Sequence, residues 1–237
     1  MKYLILTIFS VYIFASEIYV AAASNISYSM HEIVKRFNKD HPYIKVKLIY
    51  SSSGKLTAQI MHFAPYDLFL SADMKYPKYL YKRGFALTKP EVYAKGSLAL
   101  FSIKEKNLSN FKEALKNASS IAIANPKTAP YGKAALEAIK NAGLYESVKD
   151  KLIFAETVGA VIPYTLNSAD VGIVALSSMY SEKMKKYKNF HKVPDNLYTP
   201  IKQGIVLLKD KKDARMFYMF ILSDRARKIF KKYGYND

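Results

Sequence analysis

Apolar positions along this chain change rhythm every ten residues or so. "EIYVAAAS" (17–24) is a near-continuous apolar run ending in small residues, the pattern of a short strand. "SNISYSMHEIVKRFNKDH" (24–41) follows, with Ile26, Met30, Ile33, Val34 and Phe37 at helical spacing and Pro42 ending the helical region. "IKVKLIYSS" (44–52) alternates through Val46, Leu48 and Tyr50 as a strand, and "GKLTAQIMHF" (54–63) reads as a helix. "YDLFLSAD" (66–73) is a buried strand, and "MKYPKYLYKRG" (74–84) is a short helix closed by Gly84.

A second series begins with the strand "GSLALFSI" (96–103). The helix "NLSNFKEALKNA" (107–118), the strand "SIAIANP" (120–126) and the helix "GKAALEAIKNAGL" (132–144), capped by Gly143, come next. "KLIFAET" (151–157) is a strand, "VGAVIPYTLNSA" (158–169) a helix despite Pro163, and "VGIVAL" (171–176) a strand. The chain closes with the strand "IKQGIVLLKD" (201–210) and one long helix over 213–234, ending at Gly234.

Strand–helix alternation of this kind predicts an α/β protein with sheets flanked by helices. The extended stretches 88–96 and 194–204 separate the two series. They predict two lobes joined at a hinge: 17–92 with 205–237 as the first, 93–204 as the second. A ligand is then expected beyond the carboxyl ends of the strands, in the cleft between lobes.

Composition supports this picture. The 237 residues are half hydrophobic, enough for two cores. "MKYLILTIFSVYIFAS" (1–16) carries one Lys, a short apolar run and then Ala15 and Ser16, which reads as an export signal cleaved near Ser16; the run is too short to cross a bilayer. The chain has no cysteine, which excludes disulfides, thiolate metal sites and a lipidated N-terminal Cys. A net charge of +18 suits nucleic acid or an anionic surface as partner, yet the lysines are spread along most of the chain, as on a solvated face. A nucleic-acid partner is therefore not expected.

The candidate chemistry lies at the strand-to-helix turns. Ser24 and Ser53 each stand where an apolar strand gives way to a helix, amid Ala21, Ala22 and Ala23 in one case and Ser51, Ser52 and Gly54 in the other. A single such serine reads as a helix N-cap. Two of them, in turns of tiny residues that allow close approach to bare N–H groups, read as an anion site without Lys or Arg. "NPKTAPYGKAA", with Pro130, Tyr131 and Gly132, and "AETVGAV", with Val158, add a pair of similar turns in the second series.

Catalytic readings find little support. No G-x-S-x-G surrounds either serine, and His31 lies seven residues beyond Ser24, about 10 Å along a helix. His41, His62 and His191 show no metal-ligand spacing, and no nucleotide loop is present. Asp67 and Asp73 bracket a strand and read as turn residues. No enzyme, resident cofactor or side-chain-coordinated metal cation is expected.

"VAAASN", "SSSGKLTAQI", "PYDLFLSAD", "NPKTAPYGKAALEAI", "VGIVALS" and the closing "IFKKYGY" together resemble the periplasmic molybdate-binding proteins of bacterial ABC importers, in order across nearly the whole mature chain. The resemblance implies two α/β lobes of the type II binding-protein fold closing on molybdate, and usually tungstate. It also implies an inner-membrane permease with its ATPase as partners, and a monomeric protein free in the periplasm. Carried over by position, Ser24 and Ser53 supply hydroxyls, and Ser53, Tyr131 and Val158 supply main-chain N–H groups. Asn25 adds its own N–H, and Thr157 takes the place of Val158 if no gap is allowed. One departure is evident: many relatives carry a tyrosine after "GIV", where this chain has Ala175. The Tyr131 hydroxyl or a water is the expected substitute.

A cage made only of donors suits a dianion without a proton, and Glu156 is the one carboxylate within the four turns. Discrimination against monohydrogen phosphate follows, whereas rejection of sulfate must come from cavity size. A binder of another tetrahedral oxyanion, tungstate-selective or sulfate-like, is the first alternative. A basic nucleic-acid or surface-binding protein is the second, and a serine hydrolase lacking a base the third.

Overall fold

The computed structural model describes residues 16–104 and 107–236. The export signal expected over 1–16 therefore lies outside the described residues, except for Ser16. The chain opens with β1 (Ser16–Ala23), a 3₁₀ turn at Ser24–Ile26, α1 (Ser27–Asp40), β2 (Ile44–Ser51), α2 (Ser53–Met61), β3 (Leu68–Leu70), α3 (Lys75–Lys82) and β4 (Glu91–Gly96). It then builds β5 (Leu98–Phe101), α4 (Phe111–Asn117), β6 (Ile121–Ala124), α5 (Pro130–Asn141), α6 (Tyr145–Val148), β7 (Leu152–Ala155), α7 (Val158–Asn167), β8 (Val171–Ala175), α8 (Leu176–Met179) and β9 (Phe190–Lys192). Finally it returns through β10 (Ile201–Leu207), α9 (Lys212–Leu222) and α10 (Asp224–Lys232).

The strands form two five-stranded sheets, ordered β2-β1-β3-β10-β4 and β7-β6-β8-β5-β9. Within each, three strands run parallel (β2, β1, β3 and β7, β6, β8), and an antiparallel strand, β10 or β5, then joins them to the edge. These are the two lobes. Parallel strands need helical crossovers, so every parallel strand ends in a turn that starts a helix. Both sheets therefore present their helix starts at the same end.

The burial pattern explains why these residues adopt these elements. Ile18, Val20, Ala21 and Ala22 of β1 have no exposed surface, as a strand covered on both faces requires. Met30, Ile33 and Phe37 form the buried stripe of α1, where Phe37 meets Phe217 of α9 edge-on at 4.9 Å. Gly84 and Gly143, both with φ above +70°, end α3 and α5 as expected, in a backbone region that costs other residues.

Several expectations are corrected. The single C-terminal helix over 213–234 is two helices. Ser223 is extended (φ −75°, ψ 159°), and its hydroxyl accepts from Ala226 N–H at 3.4 Å, capping α10. The Ser-Asp pair after an apolar run was a legible N-cap signal. The stretches 88–96 and 194–204, read as extended hinge, contain β4 and the start of β10, and both strands belong whole to the first sheet. Boundaries after residues 92 and 204 therefore cut through β4 and β10; the sheets part at Ser97 and between Lys192 and Ile201. The short α6, α8 and β9 had no expected counterpart. Asp67 lies at the bend before β3 and does more than turn the chain: fully buried, it accepts from Tyr19 N–H at 2.8 Å and pairs with Lys211 at 2.9 Å.

Candidate functional site

Four helix starts meet at one small cavity between the lobes. The first lobe brings Ser24 and Asn25 from the turn after β1, and Ser52 and Ser53 from the turn after β2. The second lobe brings Tyr131 from the start of α5 and Val158, the first residue of α7. All five residues expected from the sequence (Ser24, Asn25, Ser53, Tyr131 and Val158) line this space. Ala23, Ala72 and Ala129 complete much of the wall with small residues. No Lys, Arg, His, Asp or Glu is among the lining residues.

The cavity measures about 10 Å³, room for the centre of roughly one water-sized group. A sugar or amino acid needs a pocket of several hundred Å³. A solute of that size is excluded from this space.

The wall is rich in free protons. The first N–H groups of a helix have no carbonyl one turn back, so those of Ser53, Tyr131 and Val158 lack intrahelical partners. The two serines do not cap their own helices. Ser53 Oγ accepts from Ala72 N–H at 2.9 Å, and Ser24 Oγ accepts from Gly159 N–H across the cleft at 3.3 Å. An oxygen that accepts in this way keeps its own proton to give away. Ser52 Oγ is buried with no protein partner, a cost of about 1–3 kcal/mol unless something else bonds it. Ser52 was hidden in the sequence because three serines in a row do not say which of them points inward.

Asn25 donates from Nδ2 to Gln203 Oε1 at 2.7 Å and to Tyr235 Oη at 3.1 Å, while its Oδ1 is buried without a protein partner. Between the two positions left open by the sequence, Val158 lines the cavity, whereas Thr157 caps α7 by accepting from Ala160 N–H. Tyr131 is fully buried, and burial pushes its phenol well above 10, with Tyr235, Tyr93 and Tyr198 adding to the effect. Its hydroxyl lies over Gly96 at the hinge, where a Cβ would sit 1.9 Å away. This explains the glycine there and directs the hydroxyl toward the hinge strand. Ala175 is buried and does not line the cavity.

The lobes are in contact on either side of the cavity. Gly54 N–H donates to Thr128 O at 2.9 Å, an approach that a Cβ at Gly54 would obstruct. Lys55 Nζ pairs with Glu156 Oε1 at 2.6 Å, both largely exposed. The one carboxylate within the four turns is thereby held outside the cavity by a lysine of the opposite lobe.

The model of the bacterial extracellular solute-binding protein family matches residues 18–236. This chain belongs to that family. It is 34% identical over 228 residues to the molybdate-binding protein ModA of Azotobacter vinelandii, covering 93% of this chain and 90% of the relative. It is also 34% identical over 227 residues to ModA of Rhodobacter capsulatus, covering 93% and 88%. Among solved structures, the periplasmic molybdate-binding protein of Azotobacter vinelandii superposes with a TM-score of 0.86 at 32% identity, covering 93% of this chain and 99% of that one. In this solute-binding protein the donor-lined cavity lies between the two lobes.

Proposed function

We propose that this protein captures molybdate between its lobes and delivers it to an inner-membrane ABC permease and its ATPase. One observation carries the reading: two helix starts from each lobe converge on a cavity without a charged side chain. The names of the relatives point to the ion. Molybdate at neutral pH is a dianion with oxygens that only accept, so N–H and O–H groups aimed inward satisfy it completely. Monohydrogen phosphate brings a proton that needs an acceptor, and Glu156 is held away from the cavity. Tungstate, with the same shape and charge, is expected to bind too, and sulfate to be rejected by size.

The binding step follows from the geometry. In the open form the first lobe offers the Ser24 and Ser53 hydroxyls and the N–H of Ser53. Closure brings the N–H groups of Tyr131 and Val158 from the other side, so the ion stabilises the closed form by the contacts available only there. A permease that recognises this form then receives loaded protein. The proposed setting is the periplasm, with the exported protein acting as a monomeric carrier. The proposed carrier role needs no resident cofactor and no catalytic step.

A thermal-shift series with molybdate, tungstate, sulfate and monohydrogen phosphate tests this. A ligand at a hundred times its Kd adds about 2.7 kcal/mol, which raises Tm by roughly 5–10 °C in a chain of this size. Molybdate and tungstate should give that rise and phosphate none. A response to phosphate equal to that of molybdate, or no response to molybdate, sinks the proposal.

A further inference from the structure

Behind the cavity, at the hinge, Asn25 sits in a buried ring of side chains that no expectation from the sequence assigned. Asn25 Nδ2 lies 3.1 Å from Tyr235 Oη, Tyr235 Oη lies 3.0 Å from Ser177 Oγ, and Ser177 Oγ lies 3.1 Å from the Asn25 carbonyl oxygen. Read as donors and acceptors, these contacts close on themselves. The Asn25 amide donates to the phenol, the phenol to the serine, and the serine back to the Asn25 carbonyl. Each hydroxyl gives one hydrogen bond and takes one, an arrangement in which the bonds polarise one another. The Asn25 carbonyl is also 2.9 Å from the phenol, so the Tyr235 proton has a second resting place on the same residue.

The members come from distant parts of the chain. Asn25 belongs to the first-lobe turn that faces the ligand. Tyr235 follows α10 and is fixed by the bridge between Asn236 and Lys95 of β4, with backbone bonds of 2.9 and 3.0 Å. Ser177 lies in α8 of the second lobe. Gln203 of β10 takes the remaining Asn25 amide proton at 2.7 Å and accepts from Tyr93 at 3.0 Å. Asn25, Ser177, Gln203 and Tyr235 are each almost wholly buried. Burial pushes the Tyr235 phenol up to about 12, so its proton stays in place at any physiological pH.

We infer that Ser177 and Tyr235 are positioning residues for ligand capture: by gripping the Asn25 carbonyl from behind, they orient the Ser24–Asn25 backbone toward the cavity and add a lobe-to-lobe bond that the closed form alone completes. The inference rests on the proposed oxyanion site, since it says how that site is held. Neither residue touches the cavity. Their effect is therefore on how long the closed form lasts rather than on how the ion first arrives, and it falls on release more than on association.

The test uses the absence of cysteine: one cysteine introduced on each lobe carries a fluorophore pair that reports closure. Ser177→Ala and Tyr235→Phe should each speed molybdate release by about three- to tenfold, the range for one net hydrogen bond, with association within twofold of wild type. The double variant should be little worse than either single one, because the ring acts as a unit. A second measurement needs no ligand: hydrogen exchange over residues 24–30 of the free protein should be faster in Tyr235→Phe, whose bonds to Asn25 do not wait for closure. If wild type closes on molybdate but the variants release it at the wild-type rate, or their effects simply add, the inference is wrong. If wild type ignores molybdate, the oxyanion reading fails, and the exchange measurement still decides the ring: unchanged protection overturns it.

Discussion

In the first lobe the turn after the third parallel strand, β3, supports its own neighbour: Ala72 N–H holds the Ser53 hydroxyl oxygen at 2.9 Å. In the second lobe the corresponding turn after β8 reaches across instead, and Ser177 holds the Asn25 carbonyl at 3.1 Å. The turns after the first two parallel strands differ as well. The first lobe offers serine hydroxyls, whereas the second offers bare N–H groups at helices that begin with Pro130-Tyr131 and Val158. One sheet plan thus serves two tasks. The first lobe carries Ser24 and Ser53, whose oxygens already accept a bond and leave their protons to give. The second carries donors that need no support, together with the contact that locks its partner's turn. The lesson is that a site of neutral dipoles depends on what lies behind each dipole, because no charge compensates for a misaimed proton.

Experiments that disturb each part of this arrangement should differ in size. The largest effect is expected in alkali, where the packing shared by both lobes is at stake. Burial raises the phenols of Tyr235 and Tyr198 to about 12 and pushes those of Tyr93 and Tyr131 higher than 10. The unfolded chain loses these protons from about pH 10 while the folded chain keeps them, so stability is intact below pH 10 and falls as pH rises toward 12 and beyond. Each such group contributes up to ~1.4 kcal/mol per pH unit. Urea midpoints measured from pH 8 to 12 should stay level to about pH 10 and then drop steeply; a level profile to pH 12 would contradict the burial of these rings.

Next in size is Ser53→Ala. It removes a donor to the ion and strands the Ala72 N–H, so molybdate affinity should fall about 10- to 150-fold by calorimetry, the range for a charge-assisted hydrogen bond. Ser24→Ala should cost less, toward the tenfold end, because its supporting bond to Gly159 is longer at 3.3 Å and is formed only on closure. If Ser24→Ala proved the more damaging, the cross-lobe bond would be the stronger prop and the comparison would reverse. Glu156→Gln removes only an exposed ion pair with Lys55, for which a change below about fivefold is expected at low salt and less at high salt. Last, affinity should be level between pH 6 and 9, since Tyr131 is the one ionisable side chain lining the cavity and it stays neutral there. A titration in that range points to a charged group reaching the ion.

Much of this was legible beforehand because it is local. Alternating strands and helices, small residues in the turns, and serines at helix starts are properties of short windows, and they led to Ser24, Ser53, Tyr131 and Val158. The misses share a cause. The break at Ser223 was local and readable, yet the helical apolar stripe continues through it and masks it. Ser52 is indistinguishable from its neighbours until the turn adopts its shape. Ser177 and Tyr235 carry no motif, and their significance comes from lying 152 and 210 residues from Asn25 in sequence and beside it in space.

By itself the sequence determined the alternation of elements, the class of sheet, and the small and hydroxyl-bearing residues of the turns that follow the parallel strands, since these depend on residues near one another in the chain. Tertiary structure alone decided that four such turns share one cavity, which face of each serine is already bonded, and that the carbonyl of Asn25 is held by the chain's far end. The reason is physical: a hydrogen bond depends on distances of a few tenths of an ångström between groups that only the packing of the two lobes brings together.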